Sequence, residues 1–559
     1  MCGIFCILNC DNTSVQFVTQ QFEKGKRRGP EYSKLSSFLA SKIGFHRLAI
    51  NGLNEESNQP LVIGNTVLIC NGEIYNHKYL FELMDIEPTT GSDCEIISHL
   101  YMRYGIEQTL QMIDGVFAFV LYDMNESKIY VARDPFGVRP LYQLSNLINY
   151  SLLGFASNLA CLSDFVLLDT MVLPEDPFFE NFEQKRVVKH FTPGTYSVFK
   201  HNKYIWVEEE KNNVYYSMPA PSPSNQFTWQ SYYDNIGELF CESIKKRCLN
   251  TERPIACLLS GGLDSSLVTA LVNEHYLSTQ SKLPLETYSI GLEGSVDLKY
   301  AKIVATYLKT KHTEIILTER EMFEAIPEVI QAIESYDTTT VRASIGNYLL
   351  GKYISKNSNA KVIFNGDGAD ELCGGYLYMK GCPDSIEFDK ETRRLLKDIH
   401  LFDVLRSDKS ISSHGLEPRT PFLDKNFVNY YLSIPPYVRN YTNYAQYEKY
   451  LLRRSFDTAH YENCTQLLPN EILWRKKEAF SDGVASQSGR SLFQILQEYI
   501  STELNMPACI ETEKFYYKSI FEKFFPHVSY VVPYMWMPKY NADATDPSAR
   551  TLSTYEKSL

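Results

Sequence analysis

Four tryptophans in 559 residues, no apolar run long enough to cross a bilayer, and no block of basic residues: these shortages narrow the field first. A spanning helix needs about 20 consecutive apolar residues, so no membrane partner is expected. Lys and Arg number 55 against 67 Asp and Glu, a formal net charge of −12. A nucleic-acid surface usually shows a basic face. Here the densest basic cluster is the short "KGKRRGP", so no nucleic-acid partner is expected. The opening "MCGIFCILNC" lacks the basic leader of a secretory signal. There is no internal repeat, no low-complexity tract and no Walker A motif G-x-x-x-x-G-K-[ST]. The 13 cysteines are odd in number and sit mostly in apolar runs such as "IACLLS" and "VLIC". That pattern predicts buried, reduced thiols and a cytoplasmic protein.

What is present is length and apolar content. At roughly 150 residues per domain the chain exceeds one core. The first part is β-rich: "IGFHRLAI", "TVLIC", "GVFAFVLYD", "KIYVARD" and "SLLGFAS" are short apolar runs bounded by turn residues. Helical spacing marks "HKYLFELM" and "DCEIISHLYMRYG". Stacked antiparallel sheets with helical cover, an α+β domain, are expected over 2–207. Residues 208–228 carry charge, Asn, Pro and Ser with little periodicity and are expected to be a linker. Strands and helices then alternate through "IACLLS", "LDSSLVTALVNEHYL", "LETYSIG", "LKYAKIVATYLKT", "HTEIIL", "REMFEAIPEVIQAIESY" and "AKVIFN". Alternation predicts an α/β domain with a parallel, doubly wound sheet over 229–540, followed by a tail, 541–559.

Two glycine loops follow apolar strands of this second domain. In "CLLSGGLDSS" the strand ends at Leu259, Ser260, Gly261 and Gly262 turn the chain, and Asp264, Ser265 and Ser266 open a helix. Successive N–H groups at a helix start form an anion nest, and two hydroxyls add donors. S-G-G-x-D-S resembles the pyrophosphate loop of the ATP pyrophosphatases, a resemblance that implies cleavage between the α and β phosphates of ATP. In "VIFNGDGADELCGGY" Asn365, Gly366, Asp367, Gly368, Asp370 and Glu371 follow a strand ending at Phe364. Carboxylates at the C-terminal end of parallel strands, beside a phosphate loop, suit Mg²⁺. Asp264 and Asp370 are the candidates, with Asp297 a weaker one.

Cys2, Cys6 and Cys10 admit three readings: a metal cluster, a disulfide framework, or a nucleophile that needs a free N-terminus. Zinc or iron–sulfur ligation calls for more ligands at tighter spacing.

Taken together, the chain resembles the glutamine-hydrolysing asparagine synthetases, close to the eukaryotic enzymes. The resemblance rests on "MCGIF", "RRGPEYS", "FHRLAI", "NQPL", "NGEIYNHK", "GSDCEIISHLY", "DGVFAFVLYD" and "ARDPFGVRPLY" in the first domain. In the second it rests on "CLLSGGLDSSL", "SYDTTTVRAS", "HGLEPRTPFLD", "ILWRKKEAFSDG" and "WMPKYNADATDPSARTL". It implies an N-terminal-nucleophile amidotransferase domain followed by an ATP-pyrophosphatase domain. Removal of Met1 would put thiol and α-amino group on one residue, Cys2. Their pKa values, about 8.5 and about 7.7–8.0, make proton transfer between them cheap near neutral pH. Cys6 and Cys10 are then core thiols, and His46 and His77 structural.

By the same resemblance Arg47 binds the glutamine carboxylate and Glu73 and Asp93 its ammonium, with Leu48, Ala49, Ile50 and Asn51 around it. The Asn71 side chain and Gly72 N–H form the oxyanion hole. Ser260, Gly261, Gly262, Asp264, Ser265 and Ser266 hold pyrophosphate. Leu258, Ile290, Asn365 and Gly366 contact the nucleotide, Lys477 neutralises phosphate charge, and Thr339 and Arg342 bind aspartate. The implied partners are ATP, L-aspartate and L-glutamine, with Mg²⁺ as cofactor; a homodimer is left open. An ammonia tunnel between the two sites is also implied.

The family's second loop commonly runs S-G-E-G-S-D-E; here it is N-G-D-G-A-D-E, with Asp367 where the family has Glu. Glu31 and Thr420 stand where the family usually has Asp and Val. A related acyl-adenylating amidotransferase, such as a β-lactam-synthetase-like protein, is the second enzyme reading, although an internal cyclisation needs no Cys2. A catalytically silent regulator with the same fold is the third, although it would not need Cys2 or the SGGLDSS loop.

Overall fold

The computed structural model describes residues 1–146, 152–169, 186–222, 228–279, 283–457, 466–477, 490–541 and 544–552. The motif residues 478–483, and parts of the stretches read as linker and tail, lie outside them. Contacts divide the chain into two compact units. The first comprises Met1–Ser217, Ser412–Leu416 and Ser519–Pro533, and the second Met218–Ile411, Glu417–Lys518 and Tyr534–Leu559.

The first unit holds two six-stranded antiparallel sheets. One is ordered Arg186–His190, Tyr142–Asn146, Leu153–Ala156, Gly3–Leu8, Ser41–Arg47, Tyr32–Phe38. The other runs Trp206–Val214, Thr195–His201, Lys128–Arg133, Gly115–Asp123, Thr66–Ile74, Leu61–Ile63. Alternate residues explain the stacking. Ile4, Cys6 and Leu8 of the first sheet meet Val67, Ile69, Ala118 and Val120 of the second in one core. The second sheet's opposite residues, Leu68, Cys70, Phe117 and Phe119, pack under the helices His77–Met84 and Glu95–Met112. On the first sheet's other face Phe5 meets Phe22 of the Val15–Glu23 helix, ring centroids 5.8 Å apart. Both faces of "GIFCIL" are therefore buried, which is why it is apolar throughout.

Residues 208–214, read from composition as linker, form most of the edge strand Trp206–Val214. Its charges pair across the sheet, Lys128 to Glu209 at 3.2 Å, and the charged edge resists further strand pairing.

The second unit is built on a five-stranded parallel sheet. Its order is Lys311–Leu317, Glu286–Leu292, Ile255–Leu258, Val362–Phe364, Glu417–Arg419. The strand order reverses between Ile255–Leu258 and Val362–Phe364, where ligand crevices form in such sheets. The run 320–336, expected as one helix, is two, Glu319–Glu324 and Ile326–Ile333. Pro327 opens the second and has no N–H to continue the first. Among the described residues no helix is long and apolar enough to cross a membrane.

Candidate functional site

The switch point of the parallel sheet carries a cleft of about 230 Å³. Both glycine loops line it. The first is folded by its own hydroxyls: Ser260 and Ser265 Oγ lie 3.0 Å apart, and the Gly262 N–H donates to Ser260 Oγ at 3.4 Å. Gly261 has φ +73°, and a Cβ there would meet Ala301 N at 2.4 Å. The Leu263–Ser278 helix starts here, so its dipole and free N–H groups face the cleft. Gly366 of the second loop touches the first: its Cβ would lie 2.8 Å from Asp264 Cβ and 2.9 Å from Ser265 N. Glycine is what lets the loops close.

Charge is concentrated where they meet. Lys449 Nζ lies 2.5 Å from Asp264 Oδ2 and 2.6 Å from Asp370 Oδ1, with its side chain 1% exposed. Lys477 pairs with Asp370 Oδ2. Burial alone would raise the Asp370 carboxyl, but Lys449 and Lys477 hold it well below the usual range. Asp264 Oδ1 is buried without a hydrogen-bond partner. Mg²⁺ commonly takes one or two carboxylates and completes its shell with water and phosphate oxygens. Two carboxylates on adjoining loops, one with an unused buried acceptor, fit that ion.

Asp367 Oδ1 accepts from Arg406 at 3.0 Å, and Arg406 also donates to Asp403 at 2.8 Å. Asp367 Oδ2 is buried with no hydrogen-bond partner. Tyr376 OH donates to Glu371 Oε1 at 2.6 Å. Burial, then the neighbouring Asp403, pushes the Glu371 carboxyl well above its usual range. Asn365 reaches Ser407 Oγ at 2.7 Å.

Leu258, Ile290, Ser260, Gly262, Asp264 and Ser265 line the cleft, as do Thr339, Asn365, Gly366, Asp367, Asp370 and Lys477. Gly261 shapes the loop from behind, giving its carbonyl to Arg475 at 2.9 Å. Ser266 is a correction: it is fully buried on the inward face of its helix and does not line the cleft. Asp297 lines the cleft and is paired with Arg475 at 3.0 Å. Arg342 is the larger correction. It does not face the cleft, because Glu513 and Asp546 occupy its guanidinium. Thr339 of the same helix does face the cleft, with Oγ1 buried and unpartnered.

In the first unit Cys2 precedes the central strand. Gly3 lies opposite His46, which puts Arg47 beside Cys2. Cys2 Sγ is 3.5 Å from Leu48 O. The Asn71 amide is satisfied in one orientation only, donating to the Cys2 carbonyl at 3.0 Å and accepting from Arg28 at 3.3 Å. Arg28 Nε also donates to the Cys2 carbonyl, at 3.0 Å. Gly72 is crowded: a Cβ would meet Val116 O at 2.4 Å. Asn51 Nδ2 donates to Glu73 at 2.7 Å, and Asp93 accepts from the Ile74 N–H at 2.6 Å. Arg47 donates to Asn54 O at 2.9 Å and Asn58 Oδ1 at 2.7 Å, and to the Gly52 carbonyl, so it also organises the 51–58 loop. Leu48, Ala49 and Ile50 are buried, and the Ala49 N–H donates to Glu31 at 2.7 Å, which gives the longer residue at 31 a defined task. Cys6 and Cys10 are buried, and burial raises both thiols. Burial lowers His46, which stacks on Phe22 at 3.9 Å.

Lys449, Arg406, Asn347 and Arg28 were missed in the sequence. Lys449 sits in "QYEKYLLRR", 185 residues from its partner Asp264, with no local signal.

A family model described as "Asparagine synthase" matches residues 235–387 and 380–530, and one described as "Glutamine amidotransferase domain" matches residues 1–210. The chain is similar over its whole length to proteins named asparagine synthetase (glutamine-hydrolyzing). It is 41% identical to that of Gallus gallus over 589 residues, 40% to that of Mus musculus over 591 and 39% to that of Homo sapiens over 592. Each comparison covers 100% of this chain and 99–100% of the relative.

Proposed function

The chain belongs to the family of glutamine-hydrolysing asparagine synthetases, and from that premise we propose how its own residues perform the synthesis. The enzyme makes L-asparagine from L-aspartate and L-glutamine with ATP, and forms L-glutamate, AMP and pyrophosphate. The observation that carries the residue assignments is the meeting of the two glycine loops at Gly366, with two carboxylates and two lysines at the seam.

In the glutaminase module, Cys2 is the nucleophile once Met1 is removed. Its thiolate attacks the glutamine side-chain amide, ammonia leaves with the proton that the α-amino group had accepted, and water hydrolyses the thioester to glutamate. Asn71 and the Gly72 N–H stabilise the oxyanion, for which Asn71 would turn from the Cys2 carbonyl it now meets at 3.0 Å. Arg47 takes the substrate carboxylate, and Glu73 and Asp93 its ammonium.

In the synthetase module, the aspartate β-carboxylate attacks the α-phosphorus of ATP. Pyrophosphate departs and β-aspartyl-AMP remains. Ammonia from the first module then displaces AMP. Phosphoryl transfer asks the protein for position and charge neutralisation. Ser260, Ser265 and the N–H groups of the first loop cradle pyrophosphate, and Lys449 and Lys477 supply fixed positive charge. Mg²⁺, when bound, neutralises phosphate oxygens, and Asp264 and Asp370 would hold it. Thr339 and Asn347 face the amino-acid substrate. Asp367 Oδ2 accepts the proton that ammonia loses, and Arg406 holds its other oxygen in place. The shorter Asp367 replaces the family's Glu, and the Arg406 pairing supports its fixed position. A cytoplasmic location belongs to the same reading, supported by the free thiols of the described cysteines.

The test is aspartate-dependent pyrophosphate release from Mg-ATP, with ammonia supplied, glutamine omitted, and asparagine assayed in parallel. Pyrophosphate matched by asparagine is expected. Pyrophosphate without asparagine would refute the assignment of Asp367, and the absence of both products would refute the synthetase reading. Cys2→Ala should abolish glutamine-dependent synthesis and spare the ammonia-dependent reaction; equal loss of both would refute the division of labour.

A further inference from the structure

Arg342 lies off the cleft but is the centre of a dry ionic cluster. Nε and Nη2 donate to Glu513 at 2.8 and 2.5 Å, and Nη1 and Nη2 to Asp546 at 2.7 and 2.8 Å. Gln497 Nε2 donates to both carboxylates, at 3.0 and 3.2 Å. Arg342 is 4% exposed, Glu513 0% and Asp546 5%. One cation between two buried anions is costly to desolvate, and a plain anchor could be apolar. A doubly bidentate guanidinium does what apolar contact cannot: it fixes orientation and register.

The cluster joins two elements that both reach the substrate. Arg342 belongs to the Thr338–Asn357 helix, which turns Thr339, Ala343 and Asn347 into the cleft. Asp546 belongs to the C-terminal segment, whose Ala549 lines the same cleft. A second tie lies one turn away. Asp337 caps this helix, with Oδ2 accepting from the Thr340 N–H at 2.8 Å, while its Oδ1 accepts from the Trp536 N–H at 2.7 Å. The Trp536 ring then packs 5.5 Å from that of Tyr376, another cleft residue.

We propose that Arg342 is a positioning residue for the amino-acid substrate: with Asp337 it locks the C-terminal segment onto the helix that carries Thr339, so that the segment is a wall of the cleft. It acts on aspartate without touching it. The proposal rests on the synthetase reading above, and deepens it by naming what shapes the aspartate end of the site.

The experiment uses the full chain. Ammonia-dependent asparagine formation is followed with aspartate varied at saturating Mg-ATP, for wild type, Arg342→Lys and Asp546→Asn. Glutamine hydrolysis is measured on the same preparations. Lys keeps the charge but loses the fork, and Asn keeps the shape but loses the charge. The expected result is a rise in the KM for aspartate on the order of tenfold or more. The KM for ATP and the rate of glutamine hydrolysis should stay within about twofold of wild type. An aspartate KM within twofold of wild type, whether or not kcat falls, overturns the proposal. Wild type that makes neither asparagine nor pyrophosphate would instead refute the synthetase reading itself. Should Arg342→Lys fail to fold, Asp546→Asn and a chain ended after Asn541 carry the same comparison, with the same KM criterion.

Discussion

Replacing Lys449 by methionine removes a cation that pairs with a carboxylate on each loop of the synthetase cleft. The side chain keeps its length and unbranched shape, so packing changes little. Nζ now lies 2.5 Å from Asp264 Oδ2 and 2.6 Å from Asp370 Oδ1. With charge centres about 4 Å apart and an effective dielectric of about 20, each attraction is worth about 4 kcal/mol before desolvation. Removing one partner from a buried ionic cluster typically costs about 3–5 kcal/mol. If a comparable amount is lost where phosphate charge develops, the rate falls about 10³-fold, at about 1.4 kcal/mol per decade. Aspartate-dependent pyrophosphate release should fall by that factor with either ammonia or glutamine as nitrogen source, while glutamine hydrolysis persists. The pH profile should move as well. Asp370 is held well below the usual carboxylate range. A depressed carboxyl contributes stability above its unfolded value and loses it as pH falls through the folded one. Without Lys449 the folded value climbs, so the acid limbs of activity and stability should shift to higher pH. Activity within tenfold of wild type, or an unmoved acid limb, would refute the electrostatic argument.

Two other substitutions test separate parts of the same site. Glu371→Gln should leave synthesis within about threefold of wild type near neutral pH, because burial and Asp403 already favour the neutral acid. A raised carboxyl favours folding below its unfolded value and works against it as pH rises through the folded one, so the Gln variant should lose that pH dependence in denaturant titrations across pH 5–8; the same pH slope in both proteins, or a tenfold fall in rate, would show an ionised Glu371 instead. Gly366→Ala places a methyl 2.8 Å from Asp264 Cβ, and should cut synthesis about 10²-fold while sparing glutamine hydrolysis; near-normal synthesis would mean that the loops part without consequence.

Strands and helices with a clear period were legible in advance. "GVFAFVLYD" is the strand Gly115–Asp123 and "HKYLFELM" the helix His77–Met84, residue for residue. Pro327 divided a run that helical spacing alone joined. The charged stretch 208–214 was opaque because its partner, Thr195–His201, and not its composition, makes it a strand. The motif "ARDPFGVRPLY" shows another limit. Its Asp134 accepts from the N–H groups of Phe136, Val138 and Arg139, and Arg133 donates to the Gly137, Arg139 and Phe191 carbonyls. A motif strong enough to support a family resemblance is here a knot that folds the chain.

The amino-acid sequence by itself determined the two glycine loops, their strands and their helix. A phosphate nest is made by consecutive backbone groups, and here the hydroxyls of Ser260 and Ser265 close it. It also showed where Cys2 stands, directly after Met1, since a place in the chain needs no packing to be recognised. Only the tertiary structure decided which charges meet. Arg342 and Lys449 carry the same sign and offer no local cue. The first is drawn to Asp546, 204 residues away, and held off the cleft; the second is drawn to Asp264, 185 residues away, and held in it. Helical pattern tells which face of a segment is apolar. It does not tell which distant carboxylate a buried cation must find, because that pairing is fixed by desolvation inside the finished core.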